Sequence, residues 1–161
     1  MEIGGAVESK ADYIAAATNT IGEGKTLTLT NGTSTKDLTG VGNIAIKSGN
    51  TVNANAMYNT TGTLTVQDSA TLNIDVNNLG SNYGETKLTN SGTLGLSADG
   101  VGDDTLQVTL NGTGVYLFNA GEGKTIHTLA DKIKGTGSNK VVTGTLNLTG
   151  GTLTEDLEKG D

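Results

Sequence analysis

Apolar residues in this chain come in short bursts with a period of two. Thr26-Leu27-Thr28-Leu29-Thr30, Asn43-Ile44-Ala45-Ile46, Thr63-Leu64-Thr65-Val66 and Thr71-Leu72-Asn73-Ile74-Asp75-Val76 open the series. Thr93-Leu94-Gly95-Leu96, Thr105-Leu106-Gln107-Val108-Thr109-Leu110, Val115-Tyr116-Leu117-Phe118 and Thr145-Leu146-Asn147-Leu148 continue it. One side chain in two then faces a core while Thr, Asn or Gln faces water, which is the pattern of a half-buried strand. Between the bursts lie Asn31-Gly32, Asn111-Gly112, Ser48-Gly49-Asn50, Gly80-Ser81-Asn82, Ser91-Gly92 and Gly135-Thr136-Gly137-Ser138-Asn139. Gly and Asn enter the left-handed region at little steric cost, so these are turns.

Composition supports sheet and limits the core. The 28 Thr, 16 Asn and 25 Gly make 69 of 161 residues, a mixture that suits pleated surfaces and turns rather than helices. Leu, Ile, Val and Phe together number 36, so whatever interior exists is thin. A formal net charge of -7 argues against nucleic acid and anionic lipid as partners. With no Cys there is no disulfide framework, thiolate nucleophile or Cys-based metal site. No run has the length and apolarity of a membrane span, and no signal peptide is recognisable, so direct membrane insertion is not expected.

One apolar anchor per burst can be followed through Leu27, Ile46, Leu64, Leu88, Leu106, Ile126 and Leu146, with a mean spacing of about 20 residues. That is the period of a β-solenoid, in which each coil stacks its strands on the next at roughly 4.8 Å. The expected fold is all-β: a single-stranded parallel β-helix of about six to eight coils over residues 21–161. Residues 1–20 form an N-terminal cap segment with a short helix. Glu8 to Ala17 carries the helix signal, with Ala11, Ile14 and Ala15 on one side. Thr128 to Lys134 reads as one or two helical turns with Leu129 and Ile133 inward. An antiparallel β-sandwich with Asn-Gly hairpins uses the same alternation and remains the alternative.

Few residues suggest chemistry. Gly-Glu-Gly-Lys-Thr occurs at Gly22 to Thr26 and again at Gly121 to Thr125, but a phosphate loop needs a further Gly where Asn19 and Phe118 stand, and both copies run into strand-type residues. The pair reads as a repeated turn. The lone histidine, His127, lies between Ile126 and Thr128 and reads as a solvent-facing strand residue. Thr26, Thr28, Thr30, Thr63 and Thr65 make a Thr-x-Thr array of the kind that can match an ice surface, but the pattern lapses in later coils and reads as strand stabilisation. Asn-x-Thr sequons start at Asn31, Asn59, Asn111 and Asn147.

Asp99-Gly100-Val101-Gly102-Asp103-Asp104-Thr105-Leu106 resembles one unit of the calcium-binding β-roll of repeat-in-toxin proteins. The resemblance makes Asp99, Asp103 and Asp104 a calcium candidate, although Asp99 replaces the first Gly of the pattern and stacked copies are lacking. The same carboxylates make a poor acid and base pair, because Asp103 and Asp104 point to opposite faces of an extended chain and no aromatic platform for a sugar lies nearby. No catalytic residue is expected, and no cofactor beyond that candidate ion.

Across roughly Leu27 to Leu153, phrases such as Gly-Thr-Leu-Thr-Val and Gly-Thr-Leu-Asn-Leu-Thr-Gly-Gly-Thr-Leu resemble the passenger regions of bacterial autotransporters and large repetitive surface adhesins. The resemblance implies a right-handed parallel β-helix displayed outside the cell, with adhesion, self-association or surface structure as its role. The expectation is therefore a non-enzymatic module of a secreted or surface protein. Its partner would be a host or bacterial surface protein or glycan, or another copy. A polymerising filament subunit and a glycan-binding or glycan-cleaving β-helix are the rival expectations.

Overall fold

A computed structural model describes residues 1–159; Gly160 and Asp161, the last two of the expected solenoid span, lie outside the described range. Among the described residues every strand pairing is parallel, and the chain winds through about eight turns of a β-solenoid. The antiparallel sandwich is thereby excluded.

Three faces recur in chain order. The first stacks Glu2–Ile3, Asn19–Ile21, Leu38–Gly40 and Tyr58–Thr60. The second stacks Val7–Lys10, Thr26–Thr30, Asn43–Ile46, Leu64–Val66 and Leu88–Asn90. The third is the longest, running through Gly32–Ser34, Thr51–Ala54, Thr71–Asp75, Thr93–Ser97, Val115–Asn119, Ser138–Thr143 and Glu158–Lys159. Later in the chain Thr125–Thr128 and Thr145–Leu148 pair as a separate two-stranded sheet in the chain-order position of the first face.

The period-two bursts become interior columns. Leu27, Ile44, Leu64 and Leu88 lie in register on the second face, and Val52, Leu72, Leu94 and Tyr116 do so on the third; all are fully buried. Each such Leu is covered above, below and across the lumen, which contributes roughly 1.5–3 kcal/mol per side chain. A core of few apolar residues can thus exclude water.

Asn31-Gly32 and Asn111-Gly112 make corners between the second and third faces, not hairpins. Each follows a residue paired on the second face and leads into the third, and Gly32 and Gly112 adopt φ of +146° and +107°. Asn90 braces the equivalent corner, accepting from Gly92 N of its own coil at 3.0 Å and donating to Val115 O of the next coil at 2.7 Å.

The N-terminal helix is corrected. Val7–Lys10 is a strand paired with Thr26–Thr30, so this segment belongs to the stacked coils, and only Ala11–Tyr13 forms a 3₁₀ turn. Ala11 and Ile14 do point inward, but a spacing of three satisfies one tight turn as well as an α-helix, and Ala15 is exposed. Ala130–Lys132 is likewise a single 3₁₀ turn; Ile133 is buried as expected, while Leu129 is exposed.

Candidate functional site: a polar groove edged by carboxylates

Register on the third face places outward side chains of successive coils in rows. Thr33, Asn53, Asn73, Gly95 and Leu117 form one row. Asn55, Asp75, Ser97 and Asn119 continue their strands into a second row beside it. Between them runs an open groove of about 800 Å³ that crosses five coils and is lined by amides, hydroxyls and two carboxylates, with Leu117 the largest apolar side chain facing it outward. Asn73 Nδ2 donates to Asn53 Oδ1 at 2.9 Å, so the first row is partly self-bonded and holds its amides in a fixed orientation. Gly95 puts no side chain on the floor at the middle, and the Asn73 carboxamide lies over it.

One wall comes from the residues after Thr93–Ser97, which bend around Asp99. Asp99 Oδ1 accepts from Val101 N at 2.8 Å and Gly102 N at 3.1 Å, closing an Asx-type turn whose tip, Val101, is 89% exposed. The Lys124 stem lies over Gly100. The backbone N–H groups of Val101 and Gly102, aided by the Lys124 charge, hold the Asp99 carboxyl below its ordinary range.

Behind this wall three carboxylates converge. One oxygen each of Asp75, Asp99 and Asp104 lies within 4.8 Å of the others. Asn77 joins them: its Nδ2 is 2.9 Å from Asp75 Oδ1, 3.2 Å from Asp99 Oδ1 and 2.7 Å from Asp104 Oδ1. Asn77 Oδ1 in turn accepts from Asp104 N at 3.0 Å, and Asp75 Oδ1 accepts from Asn77 N at 2.9 Å. Asp104 is buried with φ of +51°. Burial, joined by the charges of Asp99 and Asp104, pushes the half-buried Asp75 carboxyl up, against the hydrogen bonds from Asn77. The donor set is hard and anionic, of the type that suits calcium, but the Asn77 amide already lies within hydrogen-bond distance of all three.

The expected trio is therefore only partly assembled. Asp99 and Asp104 meet, while Asp103 is exposed and borders a separate, smaller groove of about 240 Å³ with Asn59, Thr105 and Gln107. Asp75 and Asn77 were missed. Their signal was the spacing of 22 from Thr71-Leu72 to Thr93-Leu94, which sets Asp75 beside Ser97, two residues before Asp99.

The other singled-out residues take ordinary places. Both Gly-Glu-Gly-Lys-Thr copies are turns, closed by Lys25 N to Gly22 O at 3.1 Å and Lys124 N to Gly121 O at 3.0 Å, and each opens a strand. His127 is half-exposed in a strand, its Nδ1 3.1 Å from Asn147 Nδ2. The threonine array is interrupted because Ala45 stands between Thr28 and Thr65. No family profile, curated protein or solved structure matches this chain.

Proposed function

We propose that this chain is a non-enzymatic structural and adhesive module of a secreted or cell-surface protein, binding a surface protein or glycan through its lateral face. The observation that carries this reading is the groove on the third face, in which side chains from five coils form two aligned polar rows. Each hydrogen bond made there gains little net energy in water, but contacts repeated coil by coil on a stiff scaffold accumulate without a fresh ordering cost. The likeness of sequence texture to autotransporter passengers supports the same reading.

The test is saturable binding of the purified, labelled chain to intact bacterial and epithelial cells, with sedimentation run in parallel. Competition by unlabelled chain is the expected result. Absence of binding to any surface, or sedimentation showing concentration-dependent filaments instead, overturns the proposal in favour of a polymerising subunit.

A further inference from the structure

The geometry points to a ligand class for the groove of the third face: a neutral, hydroxyl-rich polysaccharide strand lying along the solenoid axis. This rests on the adhesive reading above and names its partner.

Three features select that occupant. First, the groove crosses coils, so its contacts recur at the strand spacing of roughly 4.8 Å over five coils, which suits an extended polymer more than a compact ligand. Second, its rows present donors and acceptors together. Asn53, Asn55 and Asn119 offer amides, Thr33 and Ser97 hydroxyls, and Asp75 a carboxylate that accepts charge-assisted bonds from hydroxyl groups. A peptide laid on this surface would find no apolar pockets for alternate side chains, and it could not add a strand at four of the five coils, where the backbone is already paired on both sides; at the fifth, the edge strand Gly32–Ser34, Asp12 Oδ1 takes the Thr33 N–H at 2.7 Å. Third, Asp75 and Asp99 line the groove and, among the described residues, no Lys does, which repels polyanions such as acidic glycans and nucleic acid.

Gly95 supplies the means of testing this without disturbing the core. A Cβ placed there would meet Asn73 Oδ1 at 2.5 Å and otherwise only atoms at 3.6 Å or beyond. The near neighbour is the end of the exposed Asn73 side chain, whose single hydrogen bond to Asn53 must be given up for it to swing aside. Gly95→Leu therefore fills the middle of the groove, and Asn53→Leu removes one amide from its first row as an independent change.

The experiment is affinity electrophoresis and calorimetry of the full chain. The neutral panel is linear glucan, mannan, galactan and xylan, with polygalacturonate as the acidic counterpart. Retention by at least one neutral polymer is expected, with affinity rising with oligosaccharide length until the groove is spanned. Gly95→Leu should weaken it on the order of tenfold or more, with an unchanged melting temperature, whereas Thr65→Leu on the second face should leave it intact. No retention by any neutral polymer, stronger retention by polygalacturonate, or full retention by both Gly95→Leu and Asn53→Leu overturns the inference. If the groove variants still bind cells like the parent chain, the groove is not the adhesive surface while the adhesive reading stands. If the parent chain binds neither cells nor polymers, both fall.

Discussion

Gly62 sits against Gly42 of the preceding coil so closely that a Cβ on Gly62 would overlap the Gly42 carbonyl oxygen. Gly92 stands in the same relation to Ala70 O, and Gly144 to Gly121 O. These three glycines occupy the second place of the recurring phrases Thr61-Gly62-Thr63-Leu64, Ser91-Gly92-Thr93-Leu94 and Thr143-Gly144-Thr145-Leu146. The phrase marks the point where a corner is pressed onto the corner below. Gly62→Ala, in backbone that cannot yield without breaking the ladder, should cost about 1–3 kcal/mol or more. Gly4→Ala, with open space around its Cβ, serves as the control. Urea unfolding monitored by circular dichroism measures both.

Tyrosine hydroxyls tie the lumen together. Tyr58 Oη and Ser34 Oγ are 2.5 Å apart, Tyr83 Oη is 2.8 Å from Thr60 Oγ1, and Tyr116 Oη donates to Asn111 O at 2.5 Å. Tyr58→Phe strands the Ser34 hydroxyl in a dry interior and should cost about 1–3 kcal/mol, whereas the Tyr58→Phe/Ser34→Ala double variant should lose less than the two single costs combined. A strictly additive result in denaturant unfolding would sink the claim.

Burial pushes all three of these hydroxyls above their ordinary pKa of 10.0. The neutral form is thus favoured in the fold. That contribution is complete below about pH 10 and is lost as pH rises past the unfolded value, because the unfolded chain releases protons that the folded one retains. Stability should fall steeply above pH 10, and absorbance at the phenolate band should show Tyr58, Tyr83 and Tyr116 ionising together with unfolding. Early ionisation of these three in the folded chain contradicts this.

The sequence carried the fold further than the site. Period-two bursts about 20 residues apart identify strands and coil length, because in a solenoid every strand obeys the same local rule. They do not say which face a burst occupies: the Leu64 phrase lies on the second face, the Leu94 phrase on the third, and the Leu146 phrase in the two-stranded sheet. The anchor Ile46 is two residues away from the true column partner of Leu27, which is Ile44. Asn-Gly pairs read as turns that fit both the solenoid and the sandwich alternative, because local turn preference does not reveal whether the next strand returns or turns a corner. The groove was hidden for the same reason, since Thr33, Asn53 and Asn73 become neighbours only when the register is known.

Coils of this kind interact mainly with their neighbours, so stability should vary along the axis. Leu27, Ile44, Leu64 and Leu72 are fully buried, whereas Leu146, Leu148, Leu153 and Leu157 are only partly so. Hydrogen exchange read by mass spectrometry should show amides of Thr145–Leu148 exchanging on the order of a hundredfold faster than those of Leu64–Val66. Uniform protection from one end to the other would instead mean a single cooperative unit.

Asp75 gives the carboxylate cluster a defined pH response. Its folded-state pKa lies above the ordinary 3.8, through burial first and then the charges of Asp99 and Asp104, so protonation of this one group favours the fold. The gain is complete below about pH 3.8 and disappears as pH rises through the folded value, leaving uncompensated repulsion at neutral pH. Asp75→Asn keeps an oxygen to accept from Asn77 N and removes the charge. At pH 7 it should therefore be more stable than the parent chain by up to about 1 kcal/mol, the modest size reflecting solvent screening of a half-exposed group. The advantage should vanish near pH 3, where the parent carboxyl is already neutral. Asn77→Asp should act oppositely, adding a fourth carboxylate where an amide now donates, with a loss at pH 7 that shrinks in acid. Urea midpoints of the three proteins at pH 3 and pH 7 decide it: equal pH dependence in all of them would show that the convergence of Asp75, Asp99 and Asp104 is electrostatically silent.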